Sequence, residues 1–191
     1  MERSKAFASS DGGSTLVEVL VATLIMIVGV LGIAQLFTLS IGNNLSARSN
    51  TFATMLAEQK LEQLRALTWG FDIDGLPVSD YSTDTAVSPE SPTGGTGLRP
   101  SPPAALQENT PGYVDHLTAD GRIVGRDREP PPDAVYTRRW SIEPLPTNPN
   151  NTIIIQVLVT RNRNRGQGDL GNVARLPDEA RVITVKTRKA S

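Results

Sequence analysis

The chain has 191 residues, of which 38% are hydrophobic and 5% aromatic, and it contains 16 Gly, 14 Pro and no Cys. Its 19 Lys and Arg against 20 Asp and Glu give a net charge of -1, so no basic excess indicates a nucleic-acid partner. Without cysteine the chain has no disulfide framework, thiol nucleophile or zinc knuckle, and its single histidine excludes sites that need two imidazoles.

The apolar residues are concentrated near the N-terminus. Between Thr15 and Ile41 the only charged residue is Glu18. At 1.5 Å per residue the run from Val19 to Ile41 covers roughly 35 Å, enough for a hydrocarbon core of about 30 Å. The run is too long for a cleaved secretory signal, and no small-x-small cleavage pattern stands apart from it. We therefore predict a retained membrane helix over residues 14–42, with its N-terminus on the inner side.

Glu18 lies at the start of this predicted helix. A carboxylate deep in lipid costs about 2.5 to 3.5 kcal/mol, so such a residue is usually paired or functional. One interpretation is an interfacial residue that reaches the headgroups, helped by the positive end of the helix dipole. The other is an assembly residue, which the neighbouring sequence favours.

The string from Gly13 to Ala22, GSTLVEVLVA, resembles the leader junction of type IV pilins and type II secretion pseudopilins. The resemblance implies that a prepilin peptidase cuts after Gly13, removes residues 1–13 as a leader, and methylates the new amino terminus at Ser14. The family usually has Phe directly after the cut, where this chain has Ser14.

The spacing of the junction suits a charge pair. After cleavage the ammonium of Ser14 would lie about one helical turn from the carboxylate of Glu18, within one subunit or across two neighbours. Such a pair would offset the cost of a carboxylate among packed apolar helices and would fix the axial register of stacked subunits. We therefore predict that Glu18 is an assembly residue.

Residues 43–69 continue the helical period as an amphipathic stretch. The apolar positions do not hold a heptad over three repeats, which disfavours a coiled coil. We expect Glu58, Glu62 and Arg65 to face solvent and the helix to end near Trp69 and Gly70. The apolar residues recur at steps of three and four, at Ala53, Leu56, Ala57, Leu61, Leu64 and Leu67.

The next segment, residues 70–112, is rich in Pro, Ser and Gly. Seven of the fourteen prolines fall between residues 76 and 112, and the segment has little periodicity. Long loops of this kind are unfavourable inside a compact domain unless they are exposed or functional. We predict an exposed loop on the outer surface, between the helix and a sheet.

Residues 113–191 carry strand signals. Residues 113–124 predict a hairpin that turns at Asp120 and Gly121. Residues 134–143 alternate, so that Tyr136, Trp140 and Ile142 share one face and Arg139 points to the other. Residues 152–160 are apolar at almost every position and predict the central strand of the sheet.

The last predicted strand covers residues 180–188, with Ile183 and Val185 turned inward and Lys186 outward. One long helix followed by four or five strands indicates an α+β fold. We expect a pilin-like arrangement, in which the long N-terminal helix packs on a 4–5 stranded antiparallel sheet.

Two further segments extend the resemblance. Residues 57–65, AEQKLEQLR, and residues 136–140, YTRRW, resemble minor pilins of the PilV-like group and the related minor pseudopilins. The resemblance implies a structural subunit without catalysis, whose partners are other pilin subunits, prepilin peptidase, the inner-membrane platform protein, the assembly ATPase and membrane lipid. It also implies an inner-membrane protein with a cytoplasmic N-terminus and an outer C-terminus, later extracted into a pilus or pseudopilus fibre.

An alternative from another class is a single-pass anchored adhesin or DNA receptor that does not polymerise. Its DNA contact would come from six cations on the last strands. No aromatic residues are interleaved among them for stacking bases, so a charged sheet edge is favoured and a nucleic-acid partner is not expected. The six are Arg161, Arg163, Arg165, Lys186, Arg188 and Lys189.

Three other motifs have weaker support. Residues 166–171 match GxGxxG, but Pro177 follows where a helix would open, so a hairpin loop is favoured. Asp72 and Asp74 resemble half of a calcium loop that lacks its closing Glu. His116 beside Asp115 has no nucleophile or second base near it, so we expect a surface hairpin residue. No catalytic residue, metal site or cofactor is therefore predicted.

Overall fold

The structure is a computed structural model that describes residues 15–87, 89–162 and 179–189. The chain divides into two units, Met1–Leu45 and Ser46–Ser191. The prediction of an α+β fold is confirmed, since one long N-terminal helix precedes a five-stranded antiparallel sheet and a small two-stranded one. The elements are α1 (Leu16–Ala66), β1 (Trp69–Phe71), β2 (Pro77–Ser79), β3 (Val114–Leu117), β4 (Ile123–Gly125), β5 (Tyr136–Pro144), β6 (Thr152–Arg161) and β7 (Glu179–Thr187).

The five-stranded sheet has the strand order β4-β3-β5-β6-β7, and β1 pairs with β2 separately. Strand β5 is therefore central, and the prediction of residues 152–160 as the central strand was wrong. In β6, Ile153 and Ile155 are fully buried whereas Ile154 and Leu158 are half-buried. A strand with one face on the core and the other partly open needs apolar residues only at alternate positions. Strand β6 also has apolar residues on its partly open face, so its composition resembles that of a strand buried on both faces.

The core lies between the second half of α1 and one face of the sheet. The predicted apolar positions of the helix are all buried there, and Tyr136, Trp140 and Ile142 share the core face of β5 as expected. The helix therefore packs through one stripe of side chains, which is how an amphipathic helix is stabilised in a folded protein. The sheet residues of the core are Leu117, Tyr136, Trp140, Ile142, Ile153, Ile155, Val157, Val159 and Ala180.

The predicted hairpin forms between β3 and β4, which pair antiparallel. Its turn closes with hydrogen bonds from the Gly121 N–H to the Thr118 carbonyl and from the Thr118 N–H to the Arg122 carbonyl. Gly121 has a φ of 83°, a left-handed backbone conformation that residues other than glycine rarely adopt. The Asp-Gly pair thus identified this turn correctly.

The segment after the helix differs from the exposed loop that its composition suggested. Helix α1 ends at Ala66, before the predicted Trp69, and Trp69 is instead a buried residue of β1. Leu98 and Ala105 are fully buried and belong to the main core. Isolated apolar residues between prolines give no periodicity, so their burial is not visible in the sequence pattern.

Strand β7 has the opposite orientation to the predicted one. Ile183 and Val185 are 57% and 58% exposed, whereas Val182 packs against the core. Lys186 lies on the inner face, where its ammonium donates to the Arg65 and Leu67 carbonyls at the end of α1. The last carbonyls of a helix have no partner within the helix and carry partial negative charge, so a cation stabilises them.

The orientation of β7 can be tested with a matched pair of substitutions. Val182→Asp places a carboxylate against the core and should lower the free energy of unfolding by at least about 2 kcal/mol. Ile183→Asp changes an exposed neighbour and should cost less than about 1 kcal/mol. Denaturant unfolding of the full chain in detergent micelles, followed by tryptophan fluorescence, measures both. The reverse order of the two effects would contradict the observed orientation.

Candidate functional site

Glu18 lies in the first turn of α1. Its backbone N–H donates to the Thr15 carbonyl at 3.0 Å and to the Thr15 hydroxyl at 3.3 Å. Thr15 is therefore the N-cap of the helix, and the T-x-x-E spacing is that of a capping box. Gly13 and Ser14, where the cleavage and methylation are predicted, lie outside the described residues.

The helix beyond Glu18 exposes apolar side chains over its first half. Every residue from Thr15 to Asn44 is exposed, and the described residues of this stretch include no Lys or Arg. Helix α1 is long and apolar enough to cross a membrane. Exposed apolar surface of this extent is unfavourable in water and indicates contact with lipid or with other helices.

A second candidate site, absent from the sequence predictions, is a buried cluster of three charges in the second unit. Lys60 of α1, Asp115 of β3 and Arg138 of β5 are at most 3% exposed at their side chains. The Asp115 Oδ2 atom accepts from Arg138 Nη2 at 2.8 Å and from Arg138 Nε at 3.2 Å. Lys60 Nζ lies 3.3 Å from the same oxygen. We call these residues the buried ion cluster.

Further contacts stabilise the two cations of this cluster. Lys60 Nζ donates to the Thr85 carbonyl at 3.3 Å and lies 3.8 Å from the centre of the Trp140 ring. Arg138 Nη1 donates to the Leu56 carbonyl of α1 at 3.1 Å. Because a buried charge that loses its partner costs about 3 to 5 kcal/mol, each of the three side chains depends on the others. The cluster therefore fixes the second half of α1 against β3 and β5.

Burial sets the protonation of Lys60. Loss of hydration lowers the pKa of its ammonium from 10.5 to about 8, and repulsion from Arg138 acts in the same direction. The Asp115 carboxylate opposes this change by attracting the charged form. Lys60 is thus an amine that is much easier to deprotonate than a surface lysine.

The sequence contains a signal for this cluster. Lys60 occupies an apolar position of the helical stripe, three residues after Ala57 and four before Leu64. Arg138 has the same strand parity as Tyr136 and Trp140, so it had to face the core. A cation inside an apolar pattern predicts a buried partner, although the pattern alone does not identify Asp115.

The prediction of His116 as a surface residue was wrong. His116 and Asp115 are fully buried, because Asp115 lies against Lys60 and Arg138 and His116 lies beneath the segment after β4, where its Nε2 atom is 2.8 Å from the Asp127 carbonyl. Successive residues of a strand point to opposite faces, so Asp115 faces the helix and His116 faces the other side. The two side chains are therefore not an acid-base pair.

Among the predicted edge cations that the structure describes, Lys186 and Arg188 have structural partners. Lys186 binds the end of α1, as described above. Arg188 donates to the Gly70 and Val78 carbonyls at 3.0 and 2.9 Å, and its guanidinium lies 3.8 Å from the centre of the Trp69 ring. Arg163 and Arg165 lie outside the described residues. Because Lys186 and Arg188 already bind groups of the protein, they are poorly placed to bind the phosphates of DNA.

The Asp72 carboxylate accepts from the Asp74 and Leu76 N–H groups at 3.0 and 2.7 Å, so it closes the turn between β1 and β2. In the part of the chain that the structure describes, no group of three or more His, Asp or Glu side chains could hold a metal ion. The GxGxxG motif at residues 166–171 lies outside that part.

Comparisons of this chain with family models, with curated protein sequences and with solved structures gave no match.

The lowered pKa of Lys60 predicts how stability changes with pH. The unfolded chain holds the Lys60 proton up to pH 10.5 and the folded chain only to about pH 8, so the unfolded state binds more protons between them. The free energy of unfolding should therefore rise with pH across this window, by about 3 kcal/mol from Lys60 alone.

Lys60→Met is the matched control, because it keeps the Asp115–Arg138 pair and a side chain of similar length. Urea unfolding of the wild type and the variant at pH 7.5 and pH 10.5 measures the difference. The pKa of Lys186 is also lowered by burial. Because Lys186 is present in both proteins, its contribution to the pH dependence of stability cancels when the two are compared. An equal change of stability in the two proteins would contradict the assignment.

Proposed function

We propose that this chain is a minor pilin or pseudopilin, a structural subunit that assembles through its N-terminal helix. The observation that carries the proposal is the position of Glu18, the only charged residue between Thr15 and Ile41, exposed in the first turn of a helix whose apolar side chains are also exposed. A carboxylate at this place needs a cation when the helix packs among others like it.

Removal of residues 1–13 would supply that cation. The new amino terminus at Ser14 would carry an ammonium about one helical turn from Glu18, which becomes the fifth residue of the processed chain. Thr15 supports this arrangement, because its hydroxyl caps the Glu18 N–H and holds the first turn in helical form. The pair could close within one subunit or between neighbours that differ in axial position.

The attachment of the sheet to the second half of α1 supports the proposed role as a fibre subunit. The buried ion cluster and the apolar core attach the second half of α1 to the sheet through both charge and packing. A force on the helix would therefore move the sheet with it. This property suits a subunit that waits in the inner membrane and is then drawn into a fibre.

The proposed partners follow from these steps. Prepilin peptidase would act at Gly13 and Ser14, and the platform protein and assembly ATPase would drive extraction. Other pilin subunits would replace lipid around the apolar half of α1. The subunit would keep its N-terminus on the cytoplasmic side and its C-terminus outside, with no cofactor and no catalysis of its own.

The cleavage predicts a change of mass. In cells that contain prepilin peptidase, intact-mass analysis of the membrane protein should show the loss of residues 1–13, with a methyl group on Ser14. Cells without the peptidase should retain the whole chain, and Gly13→Leu should block the cut in cells that have it. A mature protein that begins at Met1 in the presence of the peptidase would overturn the proposal in favour of an anchored adhesin or receptor.

If Glu18 is an assembly residue, its carboxylate is needed for incorporation into fibres. Glu18→Gln should leave membrane insertion unchanged and reduce incorporation into fibres by about 10-fold or more, because the new amino terminus loses its partner. Thr38→Val is the matched control, since Thr38 is also an exposed polar residue of the apolar half and its hydroxyl donates only to the Ala34 carbonyl. Quantitative immunoblots of membrane and sheared-fibre fractions compare the two. Wild-type incorporation of Glu18→Gln would contradict the assembly role.

A further inference from the structure

Gln35 carries the only amide side chain between Leu16 and Ile41, in the apolar half of α1. At 1.5 Å per residue it lies about 24 Å from Val19 and about 9 Å from Ile41, within the stretch that is long enough to cross the hydrocarbon core. A glutamine side chain is too short to cover 9 Å, so in a membrane its amide lies below the headgroups.

The other polar side chains of this stretch show why Gln35 is exceptional. The hydroxyls of Thr23 and Thr38 donate to backbone carbonyls of the preceding helical turn at 2.9–3.0 Å. The Gln35 amide is exposed and makes no hydrogen bond with any residue that the structure describes. In lipid its two N–H donors and its carbonyl oxygen would all lack partners, which is unfavourable. The amide therefore needs a polar group of another molecule.

The chemistry of the amide indicates which molecule supplies that group. An amide both donates and accepts, so two glutamines at the same depth can exchange two N–H···O hydrogen bonds. A second copy of this chain, inserted in the same direction, has its own Gln35 at that depth. Lipid tails offer neither donor nor acceptor. Hydrogen bonds between polar side chains are one of the interactions that hold membrane helices together.

Gln35 also identifies the face of α1 that would form the contact. Most residues of this stretch are apolar, so the polar residue rather than the spacing marks the face. Steps of three and four residues from Gln35 define a stripe that runs along a helix pair of left-handed twist, and we call this stripe the seam. The seam consists of Val17, Val21, Leu24, Val28, Leu31, Gln35, Thr38 and Gly42.

The composition of the seam is compatible with close contact between two identical helices. The five residues before Gln35 are apolar and exposed. Glu18 lies outside the seam, so the carboxylates of two copies would not face each other and Glu18 stays available for assembly. A single polar residue in an apolar seam fixes the register and the number of helices that associate.

We propose that two copies of this chain pair in the membrane through Gln35, with parallel α1 helices and the seam between them. The pair rests on the membrane placement of α1 in the proposed function, but it depends neither on cleavage after Gly13 nor on fibre assembly. A neighbour at a different axial position would not bring Gln35 against Gln35. The pair therefore belongs to subunits that wait in the membrane, and extraction separates it.

Cysteine cross-linking of the full chain tests the pair, because the chain has no cysteine of its own. Val28 lies in the seam and Val30 on the other side of the helix, and the two side chains are 63% and 60% exposed. Val28→Cys and Val30→Cys are produced in cells without prepilin peptidase or other pilins, and inner-membrane vesicles are oxidised with copper phenanthroline. Val28→Cys should form disulfide dimers at least about 5-fold faster than Val30→Cys, because only the seam cysteines meet.

Two further variants, made in the Val28→Cys chain, test the amide itself. Gln35→Leu removes the hydrogen bonds and should slow cross-linking by about 5-fold or more. Thr38→Val is the matched control in the seam and should change the rate by less than about 2-fold, since its hydroxyl already bonds to its own helix. Alkaline carbonate extraction measures whether each variant is inserted in the membrane.

The outcomes separate this pair from the proposed function. If the inserted variants show equal rates for the two cysteines, or if Gln35→Leu cross-links as fast as the chain with Gln35, the pair is overturned and the proposed function stands. Release of the Val28→Cys chain from the membrane by carbonate would overturn both.

Discussion

The contact between Lys60, Asp115 and Arg138 is the constraint on which the folded second unit depends. Three elements that are distant in the sequence each place one charge where no water reaches it. An apolar helix face could slide along a sheet by one turn with a modest loss, but Lys60 cannot leave Asp115 without exposing both charges to an apolar surrounding. The cluster therefore selects one register of the helix on the sheet.

The first unit presents the same electrostatic problem in a different form. Glu18 is also a carboxylate among apolar side chains, yet residues 15–47 contain no Lys or Arg that could pair with it. A partner must come from another part of the chain or from another molecule. In the second unit folding brings the partner, whereas in the proposed mechanism proteolysis creates it.

Much of the fold could be predicted from the sequence because its signals are local. Helix α1, the Asp-Gly hairpin of β3 and β4, and the three strands β5, β6 and β7 follow from spacings of a few residues, and Glu18 is visible as a charge in an apolar run. The orientation of β7 could not be predicted, because Val182 and Ile183 offer apolar residues on both faces. The end of α1 decides between them by binding Lys186. The buried ion cluster and the burial of His116 likewise depend on which strands become neighbours, which no local pattern contains.

The attachment of β7 to the end of α1 has a consequence for the order in which the protein is made. The carbonyls of Arg65 and Leu67 receive the Lys186 ammonium, and the Trp69 ring receives the Arg188 guanidinium. Both partners are translated more than a hundred residues later than the groups they cover. A nascent chain therefore leaves the ribosome with this helix terminus uncovered, and the terminus gains its cover only when the last strand has been made.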